Sequence, residues 1–273
     1  MRQYLPTELN DVLLHAIVSD LSITTVQTEN VLNKSALIWI DHLLALREDI
    51  TFRVFGSDIV DLSFLQDLPH LRRLSVDLYD FPSLDCLCGL PLRTLSVNTL
   101  ETDYTFVQAL CPELESLSIA PESSGRIRFD CAWLARFPKL HTLYLRKVKT
   151  HVETLAQLPA LKTLALRGIN TDLCFLKDSS VETLAIHWGN KAQLDSLACN
   201  SKLCSLELWR INGLDTLSFA TGLSSLHTLR LLDLPKISSL APLRQLPRLT
   251  LIESNRMFDE KETQGLPFHL IHW

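Results

Sequence analysis

Apolar residues recur along this chain in one frame, L-x-x-L-x-L, with polar residues between them. The frame reads LRRLSV at 71–76, LRTLSV at 92–97, LESLSI at 114–119 and LHTLYL at 140–145. It returns as LKTLAL at 161–166, VETLAI at 181–186, LCSLEL at 203–208 and LHTLRL at 226–231. Degenerate copies, REDITF from Arg47 and LTLIES from Leu249, flank these. The central apolar residues are Ile50, Leu74, Leu95, Leu117, Leu143, Leu164, Leu184, Leu206, Leu229 and Ile252, spaced 20 to 26 residues apart. A period of that length marks a repeat array. Within each copy the alternation predicts a strand whose two inner leucines point one way and whose neighbours point the other. One such strand cannot bury its apolar side alone, so copies stacked about 4.8 Å apart must share a continuous leucine core.

This motif resembles the leucine-rich-repeat family over residues 47–256. The connections DLSFLQDLPHL (61–71) and ISSLAPLRQLPRL (237–249) are similar to the short repeats of bacterial internalin-type proteins. The resemblance implies an α/β fold, a curved leucine-rich-repeat solenoid with a parallel sheet on its concave face and 3₁₀ or irregular segments on its convex side. One position departs from the family. Asparagine is common at frame position 9, where its amide bonds the turning backbone. Here that position holds Tyr79, Leu100, Glu122, Val148, Ile169, Gly189, Ile211, Leu234 and Met257. Packing must replace those bonds.

Residues 1–46 leave the frame and predict a helical N-terminal cap. One helix, capped by Thr7, is expected through about Ser19, with Leu9, Val12, Leu13, Ala16 and Ile17 on one face. A second is expected from about Asn30 to Leu46, burying Leu37, Ile40 and Leu44. Residues 257–273 form a C-terminal cap in which FHLIHW and Trp273 shield the last core layer, and the whole makes one structural domain. The longest unit contains APESSGRIRFD at 120–130, which reads as a surface loop. LPTEL at 5–9, followed by Leu13 and Ile17, is similar to the opening of an F-box; with repeats behind it, that would imply a substrate adaptor of a ubiquitin ligase. Residues 22–36, SITTVQTENVLNKSA, do not continue that motif.

Composition narrows the function. The chain has 57 leucines against 8 glycines, is 47% hydrophobic and carries a net charge of −5. Disorder and a glycine-loop nucleotide enzyme are therefore disfavoured, and so is a general nucleic-acid binder. No run of 18 uncharged apolar residues spans a membrane, and the opening MRQYLPTELND turns acidic before an export signal forms. The seven cysteines include no C-x-x-C pair and read as reduced thiols in a cytoplasmic protein. His269 and His272 lack further ligands, so no metal or cofactor site is expected. G-x-S-x-G, P-loop and H-E-x-x-H motifs are absent, so the chain reads as a non-enzyme.

The informative residues are those at frame positions 3, 5 and 7, which face the concave surface. Position 3 is mostly a Ser/Thr ladder that suits any sheet. In the first copy Asp49, Thr51 and Arg53 take these positions. From Tyr144 onward positions 5 and 7 fill with aromatic and charged side chains. Tyr144, Arg146, Arg167, His187, Glu207, Trp209 and Arg230 stand there, and Trp188 and Arg210 extend the set at position 8. Arg146 and Arg167 fall on adjacent strands, where like charges are destabilising, and Trp209 is expected on open surface. Tryptophan, tyrosine and arginine dominate binding hot spots. These nine residues are the candidate partner site, for a protein with an acidic contact surface. The reading is non-catalytic protein binding, foremost by a bacterial cytosolic immunity protein that neutralises a cognate toxin. A ubiquitin-ligase adaptor and a generic scaffold or effector are the alternatives. Leu164→Ala, in the middle of the leucine core, should lower unfolding free energy by roughly 2–5 kcal/mol in a denaturant titration.

Overall fold

The structure is a computed structural model that describes every residue except Pro6, Thr7, Glu8, Asp58, Val60 and the side chain of Cys199. It divides into two compact units, Met1–Phe129 with Arg136–Leu140, and Asp130–Ala135 with His141–Trp273. The first contains β1 (Arg2–Tyr4), α1 (Asp11–Ser19), β2 (Thr25–Thr28), α2 (Lys34–Leu46), β3 (Thr51–Gly56), β4 (Arg73–Leu78), β5 (Thr94–Asn98) and β6 (Ser116–Ile119). Its strands pair in parallel, each with the next in sequence. The second contains β7 (Thr142–Arg146), β8 (Thr163–Arg167), β9 (Thr183–His187), α3 (Lys191–Asp195), β10 (Ser205–Trp209), β11 (Thr228–Leu232), β12 (Leu251–Ser254), α4 (Glu260–Thr263) and β13 (His269–His272). These strands are likewise parallel and paired in order. No helix among the described residues is long and apolar enough to cross a membrane.

In both units the inner leucines and valines of the frame are fully buried, among them Leu74, Val76, Leu95, Val97, Leu164, Leu166, Leu206 and Leu208. Strands are joined by short 3₁₀ segments, such as Ser63–Asp67 and Val152–Gln157. The connecting sequences dictate this. Leu62, Leu65, Leu68 and Leu71 recur every three residues, the period of a 3₁₀ turn. The amide of each donates to the carbonyl of the one before, at 3.0, 3.2 and 3.0 Å. The same three-residue step puts all four side chains on the buried side.

The ladder corrects the frame of the first copy. Phe52, not Ile50, lies opposite Leu74, and Arg53 lies opposite Ser75. Arg53 and Phe55 therefore hold outer positions 5 and 7, and Asp49 lies before the strand. Ile50 and Phe52 are both buried, so hydrophobicity alone could not choose between them.

Residues 1–46 contribute strands as well as helices. β2 lies between α1 and α2 and pairs with β3, so the stretch similar to an F-box opening leads directly into the repeat sheet. Thr7 lies outside the described residues; the side chain of Asn10 caps α1, accepting the amide of Leu13. The buried residues of α1 are Leu14 and Ile17, whereas Val12 and Ala16 are exposed, a correction to the expected face. α2 starts at Lys34 behind an Asn33 cap and buries Leu37, Ile40, Leu43 and Leu44. The helical region is tied to the first repeat by Arg47. Its guanidinium is buried, donates to the carbonyls of Ile17 (3.1 Å) and Ile23 (3.0 Å), and forms a two-pronged contact with Asp49 (2.7 and 2.8 Å). At the other end Phe268 is buried, whereas Trp273, expected over the core, is exposed.

The missing asparagine ladder is replaced differently in the two units. In the second, Val148, Ile169, Ile211 and Leu234 are buried at position 9, so packing does replace it. In the first, Tyr79 and Glu122 stay exposed there. Gly189 and the exposed Met257 are the exceptions within the second unit; at Gly189 a side chain from the next helix takes over. The buried Gln193 side chain occupies the space a larger residue would need, and its amide donates to the carbonyls of Ile169 (2.5 Å) and Thr171 (3.2 Å). One glutamine thus bonds the preceding bend. Gln193→Ala would strand those carbonyls in the interior and should cost roughly 2–4 kcal/mol, read from a chemical denaturation midpoint.

Candidate functional site

The parallel register of the second unit lines up equivalent residues. Arg146, Arg167, His187, Trp209 and Leu232 form one row across β7 to β11. Tyr144, Ala165, Ala185, Glu207, Arg230 and Glu253 form the row two residues earlier. All nine candidate residues therefore lie on one unit and toward one side of its sheet.

The strand ends decide which side chains join them. Continued alternation would turn position 8 into the core. Instead Lys147 (φ 59°), Gly168 (64°), Trp188 (56°), Arg210 (52°) and Asp233 (49°) are left-handed. This turn keeps position 8 outside and sends position 9 inward. It also extends the ladder: the amides of Lys147, Gly168, Trp188 and Arg210 donate to the carbonyls of Arg167, His187, Trp209 and Leu232 at 2.8 to 3.1 Å. Two adjacent outer rows result, and Trp188 stands 38% exposed between two arginines.

That ring answers the charge problem raised by the sequence. The Arg167 guanidinium carbon is 4.1 Å from the Trp188 ring centroid and 5.3 Å from that of Trp209. Arg146 approaches Trp188 at 5.8 Å, and Arg210 approaches Trp209 at 5.5 Å. Each cation-on-ring contact contributes about 0.5–2 kcal/mol, more as water is excluded. The indoles give these neighbouring cations favourable ring contacts that offset part of their repulsion. Trp188 and Trp209 lie 6.1 Å apart, and the His187 ring meets Trp209 edge-on at 5.3 Å.

Two expectations need correction. Arg146 is only 7% exposed. Trp209 is not an open surface residue: it is partly covered, and its indole N–H donates to Asp233 Oδ2 at 2.8 Å. Tyr144 is partly exposed beside Ala165.

Acids line this face as well: Glu207 of the candidate set and, beyond that set, Glu253 and Asp233. His187 Nε2 is 2.7 Å from Glu207 Oε1, and Arg230 donates to Glu207 Oε2 at 3.1 Å. Arg230 also pairs with Glu253 at 3.1 Å and lies 5.0 Å from the Trp273 ring. Asp233 accepts from Trp209, from Arg210 at 2.9 Å and from Asn255 at 2.8 Å. The face is therefore zoned rather than uniformly positive. Acids neutralise its Glu207–Arg230 side, while Arg167, among the described residues, forms no ion pair and its buried Nε meets no acceptor. Glu253 and Asn255 occupy outer columns and Asp233 the rim row, so frame position was a usable signal for all three. Trp273 had none.

The arrangement suits recognition. Burial pushes the Cys131 thiol up to about 12 and the Cys86 thiol up to about 11, so neither is a ready nucleophile. Among the described residues no three His, Cys, Asp or Glu side chains come together as a metal site.

No family model and no curated protein matches this sequence. Solved structures do match. An internalin C2 from Listeria monocytogenes is 21% identical with a TM-score of 0.51, over 70% of this chain and 83% of that one. An internalin InlF from the same organism is 18% identical with a TM-score of 0.54, over 94% of this chain and 88% of that one. At these identities the likeness is one of fold, and the chain has the leucine-rich-repeat fold.

The acids make the face sensitive to protonation. The hydrogen bond from His187, then Arg230, holds Glu207 below its ordinary 4.5. Trp209, Asn255 and Arg210 hold Asp233 below 3.8. A depressed native pKa gives stability that is complete above the unfolded value and is lost as pH falls through the native one. Tryptophan fluorescence should thus change as pH falls below 4.5 and these carboxylates take up protons. Asp233→Asn should shrink that acid change relative to the parent.

Proposed function

We propose that this leucine-rich-repeat chain is a non-catalytic protein-recognition module whose partner docks on the outer face of β7 to β11. Arg167 carries the reading. Its guanidinium lies against two indoles without a carboxylate among the described residues, and a carboxylate on an incoming surface would complete it. Trp188, exposed beside it, offers the large rigid contact that hot spots use. Arg210 and the Glu207–Arg230 pair lie alongside, where they would tune orientation and encounter rate more than affinity. The partner's contact surface is then acidic, and neither nucleic acid nor membrane is needed.

Within that class the role we favour is a cytoplasmic bacterial immunity protein that neutralises a cognate toxin by covering its active site. Such a role requires tight binding and nothing else, which fits a face with an aromatic–arginine centre and no activated nucleophile. The test is a toxin encoded beside this gene, purified and titrated calorimetrically against the full chain. Trp188→Ala should weaken binding by roughly 2 kcal/mol or more while the chain stays folded, with melting shifted only as far as the loss of its two arginine contacts requires. Trp209→Ala should weaken it too, but with a lower melting temperature because that ring also packs inside the face. Parent-like affinity of Trp188→Ala and Arg167→Ala would remove this face from the interaction, and a complex lacking toxin inhibition would remove the immunity role.

A further inference from the structure

The frame correction in the first unit uncovers a second surface. With Phe55 at outer position 7, the ends of β1, β3 and β4 carry aromatic residues on neighbouring backbone, and two of the rings meet. The Tyr4 ring meets Phe55 edge-on at 5.7 Å. Tyr79 follows β4 and donates its amide to Gly56, the residue after Phe55, at 3.0 Å. Phe81 lies two residues beyond. Tyr4, Tyr79 and Phe81 are 62%, 71% and 61% exposed. Single exposed rings are ordinary, but several in one place mark a contact surface.

The charge around them is acidic. Glu29 follows β2 and lies against Gly56, and Asp80 lies between Tyr79 and Phe81. Among the described residues neither carboxylate forms an ion pair; the Asp80 carboxylate accepts the backbone amide of Phe81 at 2.8 Å, and its backbone carbonyl accepts that of Leu100. The chain itself displays the chemistry such a surface accepts. The Arg53 guanidinium lies 4.7 Å from the Phe55 ring centroid while it pairs with Asp77 and donates to Gln27 at 2.9 Å. A cation on a ring face, closed by a carboxylate, is already built there once.

We infer that this rim is a docking surface for an arginine- or lysine-bearing segment of a protein partner, with Tyr79, Phe81 and Tyr4 receiving cationic side chains and Glu29 and Asp80 neutralising them. The occupant follows from charge: an acidic segment would be repelled, and a purely apolar one would bury both carboxylates unpaired. The site is independent of the arginine–tryptophan face and does not require that reading to hold.

A fluorescent oligoarginine peptide titrated by anisotropy against the full chain tests this. Tyr4→Ser/Tyr79→Ser/Phe81→Ser leaves the net charge unchanged and should weaken binding about tenfold or more, whereas Tyr4→Phe/Tyr79→Phe keeps the rings and should bind like the parent. Glu29→Gln/Asp80→Asn should weaken binding as well, and because these carboxylates are outside the core it serves if the triple variant melts early. Parent-like affinity of the serine variant would reduce the interaction to attraction by net charge and overturn the assignment, as would parent-like affinity of the Glu29/Asp80 variant.

Discussion

A repeat of this chain cannot bury its own inner leucines, and that inability organises everything else. Each L-x-L strand exposes an apolar side that only another copy can cover, so copies stack in parallel and in register. The register is a consequence of burial, because a slip of one residue would turn every leucine outward. Once fixed, it acts on the opposite side of the sheet too. Outer residues at equal frame positions are brought to strand spacing, whatever their charge. Arg146 and Arg167 are forced together by leucines on the other side of the same strands. The Trp188 ring lies within cation–ring reach of both guanidiniums and contributes to offsetting that proximity.

Trp188 reaches that place through its backbone. The left-handed turn at position 8 costs about 1–2 kcal/mol for a residue with a side chain. Gly168 occupies the same position in the neighbouring repeat and meets the geometric need without that cost. The fold therefore accepts glycine at this turn, yet Lys147, Trp188, Arg210 and Asp233 hold it in the other repeats. Their side chains supply something glycine lacks. For Trp188 and Arg210 it is the stack with arginine and indole; for Asp233 it is the carboxylate that anchors the Trp209 indole. Backbone strain concentrates where the outer face is chemically richest, the distribution found at functional surfaces.

Much of this was readable from local pattern. The L-x-L alternation placed β4 to β12, the resemblance to leucine-rich repeats implied the 3₁₀ connections, and the columns from Tyr144 onward put nine residues on one face. What escaped notice lacks a local signature. β1 and β2 read RQY and TVQT, without leucine, and exist because the sheet offers an open edge to pair with. Ile50 and Phe52 are apolar alike, so only the hydrogen-bond register separates them. The turn at position 8 was invisible because four of its five residues in the second unit are not glycine. The burial of Arg146 depends on what surrounds it, which no spacing reveals.

The two units use one contact, guanidinium against aromatic ring, and finish it in opposite ways. In the first, Arg53 is fully engaged by Phe55, Asp77 and Gln27, and the surplus around it consists of exposed rings and free carboxylates. In the second, the rings are engaged, and the surplus is the Arg167 cation, with no acid among the described residues to close it. A cation–ring–carboxylate arrangement is most favourable when all three parts are present and water is excluded. Each surface lacks a different part. On the two proposals made above, a cation would complete the first and an anion the second, and the two surfaces would then select for partner segments of opposite charge.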